Sequence, residues 1–150
     1  MSDDTTTGPP DPGGVWVVTV WADRDYHDQV LARRAGEDTA AAGEFPSDLP
    51  PREVRLIAEE TRIGRAGDPK GDDLPEIDLG GPPRDPGVSH LHAVLMALPR
   101  DRWVVIDAGS TNGTTLNYAE APLTPDTPVA LRSGDRIHVG AWTTLTVERR

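Results

Sequence analysis

The chain has 150 residues, no cysteine and a formal charge of −10. That length predicts one domain able to bury a core without staples, and the missing cysteines exclude disulfides and thiolate metal sites. The negative charge disfavours duplex nucleic acid as a partner, so any anion site must be assembled locally from a few placed donors. No apolar run is long enough to cross a membrane and no secretory signal pattern opens the chain, so the expected location is cytoplasmic. Lys70 is the only lysine, and with abundant Ala, Gly and Pro this suggests a GC-rich bacterial, actinobacterial-like genome.

Fifteen glycines and fifteen prolines interrupt the chain too often for long helices. Met1 to Gly14 is rich in Asp, Thr, Pro and Gly and is expected to be a disordered tail. Val15 to Ala22 predicts a first strand, with Trp16, Val18 and Val20 on one face and Val17 and Trp21 on the other. Asp23 to Glu44 holds the one expected helix, centred on Tyr26, Val30 and Leu31, with a helical insert near residues 24–35. Phe45 to Pro51 is an extended, proline-bearing loop.

Further strands are predicted over Arg52–Ala58, Glu59–Arg65, Glu76–Leu79, Ser89–Leu98, Trp103–Asp107, Thr114–Leu116, Val129–Leu131, Arg136–Val139 and Trp142–Val147. Pro99-Arg100-Asp101 turns one hairpin, while Gly134-Asp135 and Gly140 sit in later turns. Ten short strands and at most one helix make an all-β, two-sheet sandwich the expected fold, with residues 15–150 as one domain. The four tryptophans fall in strand-like runs and are expected in the core.

Three stretches carry candidate chemistry. Gly64-Arg65 offers a guanidinium after a residue that lets the chain turn sharply. Ser89-His90-Leu91-His92 places a hydroxyl and two imidazoles at the mouth of an apolar run. Gly109-Ser110-Thr111-Asn112-Gly113-Thr114 is a turn dense in short hydrogen-bonding side chains. A phosphate monoester requires a guanidinium, hydroxyl donors and main-chain N–H groups converging on it, and these stretches supply each type.

Together, in this order and spacing, these clusters resemble a forkhead-associated (FHA) domain, a phosphothreonine-binding module; the likeness covers about Ile57 to Val147. It implies a sandwich whose loops at one end bind the peptide. By resemblance, Arg65 pairs with the phosphate, Ser89 hydrogen-bonds it and Thr111 contacts the phosphothreonine region. Asn112 grips the peptide main chain, and His92 is a buried brace. Gly64, Gly109 and Gly113 complete the motif, and Gly134-Asp135 and Gly140 fit the closing hairpin. His90 departs from the family, which often has arginine there; its imidazole is expected to add charge to the site as pH falls.

The resemblance implies a non-catalytic adaptor in Ser/Thr-kinase signalling, with no cofactor, whose partner is a phosphothreonine-containing kinase or kinase substrate. Thr5, Thr6 and Thr7 are candidate phosphosites, and a phosphorylated tail could occupy its own site. Two alternatives are an interaction sandwich whose phosphate site has decayed, and a metal-dependent or serine hydrolase. The last would draw on the spacing of His90 and His92 or on Ser89, His92 and Asp107. No nucleophile elbow surrounds Ser89 and no third metal ligand is evident, so no metal site is expected. His27 is expected on the surface, and His138 in packing or at an edge.

Overall fold

The computed structural model describes residues 14–33, 44–66 and 74–150. The expected tail with Thr5, Thr6 and Thr7, the helical reading past Arg33 and most of the Ala66–Asp73 loop lie outside them.

Ten strands and one helix follow in order: β1 (Trp16–Ala22), α1 (Arg24–Arg33), β2 (Arg52–Arg55), β3 (Glu60–Gly64), β4 (Ile77–Asp78), β5 (Leu91–Leu98), β6 (Arg102–Asp107), β7 (Thr114–Leu116), β8 (Val129–Ala130), β9 (Arg136–Val139) and β10 (Thr143–Arg149). They form two five-stranded sheets, ordered β2-β1-β10-β9-β7 and β4-β3-β5-β6-β8. Their inner faces share one core, to which the first sheet gives Trp16, Val18, Val20, Ile137 and Leu145, and the second Ile63, Leu95, Trp103 and Val105. This is the expected all-β sandwich with one short helix.

Register explains the sidedness. Val18 faces Val147 and Val20 faces Leu145 across β1 and β10, so the alternate residues of both strands meet the core together. Strands β5 and β6 pair from Ala93↔Asp107 to Leu98↔Arg102. The turn joining them is left-handed at Arg100 and Asp101, with φ of 67° and 59°. β2 stops at Arg55, short of the predicted Ala58, and Ile57 is 89% exposed in the turn beyond it.

Helix α1 is capped by Asp23, whose Oδ1 accepts from the Tyr26 N–H at 3.2 Å. Its buried face is Tyr26, His27 and Val30. With Ala141 and Trp142, Tyr26 and Val30 form a second apolar cluster, flanked by Phe45, Leu49 and Tyr118. His27 is therefore not the solvated residue the sequence suggested: it is 6% exposed and packs against the Phe45 ring, 5.5 Å between centroids. Periodicity alone could not reveal that residues 44–51 would cover this side of the helix. Trp21 also differs from expectation. It is only half-buried on the outer face of its sheet, where its Nε1–H donates to Thr146 Oγ1 at 2.9 Å. The other three tryptophans are buried.

Beneath α1 lies a polar network centred on Asp23. Its Oδ2 accepts from Tyr118 Oη at 2.6 Å and from Thr144 Oγ1 at 2.8 Å. His138, fully buried, accepts the Tyr118 N–H on Nε2 at 2.9 Å, and its ring stacks on Tyr26. Burial lowers the His138 pKa to about 4, against the opposing pull of the Asp23 carboxylate. A histidine kept neutral in this way stabilises the fold fully above its unfolded value of about 6.5 and loses that contribution as pH falls towards about 4. His92, also lowered by burial, acts with the same sign. Urea unfolding should therefore show stability falling by about 3 kcal/mol between pH 7 and pH 4. A flat profile over that interval would contradict the buried neutral assignment.

Candidate functional site

At the end of the sandwich where β3 finishes and β5 begins, the three sequence clusters meet. Gly64 is the last residue of β3 and lies against the main chain of β5: a Cβ there would fall on the His90 carbonyl oxygen. Glycine is required by that close approach, and the register between β3 and β5 shifts at this point. Arg65 emerges directly after it. Its N–H donates to His90 O at 3.1 Å and its Nε–H to Val88 O at 3.0 Å. The guanidinium is thus tied alongside Ser89, with its terminal amino groups unbonded among the described residues.

Ser89 links the first stretch to the second. Its Oγ accepts the Thr111 N–H at 3.1 Å, leaving the hydroxyl proton to donate elsewhere. Its own N–H donates to His92 Nδ1 at 3.1 Å, and His92 Nε2 lies 2.9 Å from Gly113 O. Since Nδ1 accepts, Nε2 carries the proton and donates to that carbonyl. The ring is neutral, fully buried and committed at both nitrogens, and burial holds its pKa below the ordinary value. Asn112 donates from Nδ2 to Gly87 O at 2.9 Å. His90, Thr111 and Asn112 are exposed, Ser89 and Arg65 half-buried. The five predicted contact residues therefore gather at one solvent-facing rim, where Arg65 and Asn112 bond main-chain carbonyls of residues 87–90 and Ser89 bonds Thr111.

The same contacts bear on the alternative chemistries. His92 has no nitrogen left for a metal beside His90. Nor does it meet Ser89 Oγ or Asp107, so the three hydrolase-like residues form no relay. Asp107 instead organises its own turn. Its carboxylate accepts from Ser110 Oγ at 2.5 Å, Thr114 Oγ1 at 2.6 Å and the N–H groups of Gly109 and Ser110 at 3.1 and 3.2 Å. Burial alone would raise its pKa; the hydrogen bonds from Ser110 and Thr114 outweigh that and hold it below the usual range. Gly109 and Gly113 both adopt positive φ, 83° and 84°. Asn112-Gly113 is no hairpin turn, because β6 and β7 lie in different sheets.

One residue of evident importance escaped the sequence reading. Asp85, fully buried, precedes the Pro86-Gly87 turn. Its Oδ1 accepts from the Gly87 N–H at 2.9 Å and the Ala141 N–H at 2.8 Å, and its Oδ2 from the Trp142 N–H at 3.2 Å and Thr143 Oγ1 at 2.7 Å. The carboxylate bolts the loop carrying Ser89 to the β9–β10 turn. Gly140, at φ 65°, makes room for it, since a Cβ there would lie 2.6 Å from the carboxylate. The local Asp-x-Gly turn was legible, but the partners 56 to 58 residues away were not. Replacing Asp85 with alanine leaves four donors without their acceptor, and chemical denaturation at pH 7 should register a loss of about 3 kcal/mol or more. A loss below about 0.5 kcal/mol would show that the loop does not depend on this anchor.

Comparison with known proteins places the arrangement. A family model, the FHA domain, matches residues 61–140, more than half of the chain. An FHA domain-containing protein of Arabidopsis thaliana is 39% identical over 64 residues, 43% of this chain but only 16% of that much longer protein. Among solved structures, full-length yeast Pml1p superposes with a TM-score of 0.65 at 15% identity, covering 95% of this chain and 87% of its own. An FHA domain from a study of phosphothreonine-dependent FHA interactions gives a TM-score of 0.54 at 24% identity, covering 89% and 97% respectively. Fold and family match agree: the chain belongs to the FHA-domain family.

Proposed function

We propose that this chain reads phosphothreonine, binding a phosphorylated segment of a partner protein through Arg65, Ser89, His90, Thr111 and Asn112 without chemical change to it. The observation that carries this reading is the convergence of these residues on one rim. There the Arg65 amino groups and the Ser89 hydroxyl proton meet no acceptor among the described residues. A phosphate dianion is matched by such donors, and charge-assisted bonds to it are stronger than neutral ones. The FHA relative studied for phosphothreonine-dependent interactions supports the same ligand class. Commitment of both His92 nitrogens to the main chain favours binding over hydrolysis. Within a cell the module would act as an adaptor for a Ser/Thr kinase or its substrate.

The test is a phosphothreonine peptide library with phosphoserine and unphosphorylated controls, measured by calorimetry or anisotropy. Arg65→Ala should cost about 2–5 kcal/mol of binding, because the bound phosphate loses its compensating charge. Asn112→Ala should weaken binding about tenfold, through loss of its peptide contact and of the bond that steadies Gly87. Binding of Arg65→Ala equal to wild type would overturn the assignment.

His90 gives the site its own pH signature. Its ring is exposed beside Ser89 and makes no hydrogen bond among the described residues. An imidazole, unlike a glutamine amide, can take up a proton and so add a positive charge beside a phosphate. Affinity should rise from about pH 7.5 to about pH 6 in the wild type and fall in His90→Gln. Identical profiles for the two proteins would remove His90 from the site.

A further inference from the structure

At the end of the sandwich away from the rim, the segment joining β2 to β3 presents Ile57 to solvent, 89% exposed. A single exposed isoleucine is ordinary on a protein surface. This one stands beside a shallow groove lined by Val15, Trp16, Leu56, Ala97, Leu98 and Trp103, and Leu98 is itself 38% exposed. A contiguous apolar patch of that kind marks a surface that meets another molecule. We propose that the molecule is a second copy of this chain, related by a two-fold axis beside Ile57, so that each Ile57 covers the other copy's groove. The inference is independent of the phosphothreonine reading above.

Charge points to a second copy rather than a different protein. The segment reads Arg55-Leu56-Ile57-Ala58-Glu59, with opposite charges two residues to either side of Ile57. Arg55 and Glu59 are both exposed, and neither side chain makes a hydrogen bond or ion pair among the described residues. Two-fold packing runs the segment antiparallel to its copy, setting Arg55 of each chain opposite Glu59 of the other and Ile57 opposite Ile57. The interface thereby supplies two ion pairs for four side chains without them in the single chains. The acidic excess of the chain does not oppose this approach, because Asp101 pairs with Arg149, and Glu53 and Glu148 pair with Arg150.

The surface is also held ready. Trp16 Nε1–H donates to Asp101 Oδ1 at 3.1 Å, so the polar atom of this indole is already satisfied and burying the ring costs no hydrogen bond. The exposed segment is fixed at both ends: the Leu56 N–H donates to Trp16 O at 2.9 Å, and Glu59 O accepts the Ala97 N–H at 2.8 Å. A side chain carried on a fixed backbone loses little freedom on docking.

This pole lies opposite the candidate site, since the groove takes the last residues of β5 and the rim lies beside its first. Strand β5 has eight residues, which at the usual rise separates the two ends by about 26 Å. A dimer formed here leaves both rims open and, by the same rise, on the order of 50 Å apart. Under the phosphothreonine reading it joins two partner chains instead of gripping neighbouring sites on one short segment.

The experiment is sedimentation velocity on the unphosphorylated full chain, without peptide, over a wide range of concentration. Twelve residues line the groove, against about 20–30 a side in a standard interface, so the dimer should be weak. The wild type should be mostly monomer at about 5 µM and mostly dimer at about 500 µM. Ile57→Glu should stay monomeric throughout with the melting temperature of the wild type, because the side chain it replaces is exposed. Arg55→Glu and Glu59→Arg should each weaken the dimer about tenfold, and the two substitutions together should restore it. A wild type monomeric at every concentration leaves the groove to a different protein or to residues 1–13 of the same chain, and overturns the proposal. So does a dimer that survives Ile57→Glu, or a double variant no stronger than either single one.

Discussion

The buried imidazole of His92 ties together the two loops on which everything at this end depends. Its Nδ1 accepts the Ser89 N–H and its Nε2–H reaches Gly113 O, so one neutral ring spans the start of β5 and the turn before β7. These segments are more than 20 residues apart in sequence. A protonated ring could not accept from Ser89, and a ring without a proton on Nε2 would set two acceptors against each other at Gly113. Burial selects the neutral form and thereby the geometry. Ser89 is then positioned to accept the Thr111 N–H, which draws the second loop against the first.

Three buried carboxylates perform the equivalent task for other loops. Asp85 holds the Ser89 loop to the β9–β10 turn, Asp107 shapes residues 109–114, and Asp23 caps α1 while binding Tyr118 and Thr144. Each is compensated mainly by main-chain N–H groups and hydroxyls. Placing negative charge inside a protein already strongly acidic would be costly without such donors. The rim can consequently keep its remaining donors facing solvent, since much of the loops' shape is maintained from behind by His92, Asp85 and Asp107.

Much of this was legible in the sequence, for identifiable reasons. Short alternating runs bounded by Gly, Pro and Asp located all ten strands within a few residues, because the turn chemistry and the period of two agree along this chain. Gly64-Arg65, Ser89 and the 109–114 stretch were visible as a group because their types and spacing carry the family's pattern. What remained hidden depended on long-range contact. Asp85 reads locally as a turn residue, yet its principal partners are Ala141, Trp142 and Thr143. His27 reads as part of a polar helix face until Phe45 folds over it.

Phosphate recognition by Arg65, Ser89 and the Thr111 loop is the central claim, and titration followed by amide and guanidinium NMR tests it most directly. Adding a phosphothreonine peptide should produce saturable shifts centred on the Arg65 Nε–H and the amides of Ser89, His90, Thr111 and Asn112, while the unphosphorylated peptide produces none. Shifts confined to other surfaces, or equal responses to the two peptides, would contradict the account.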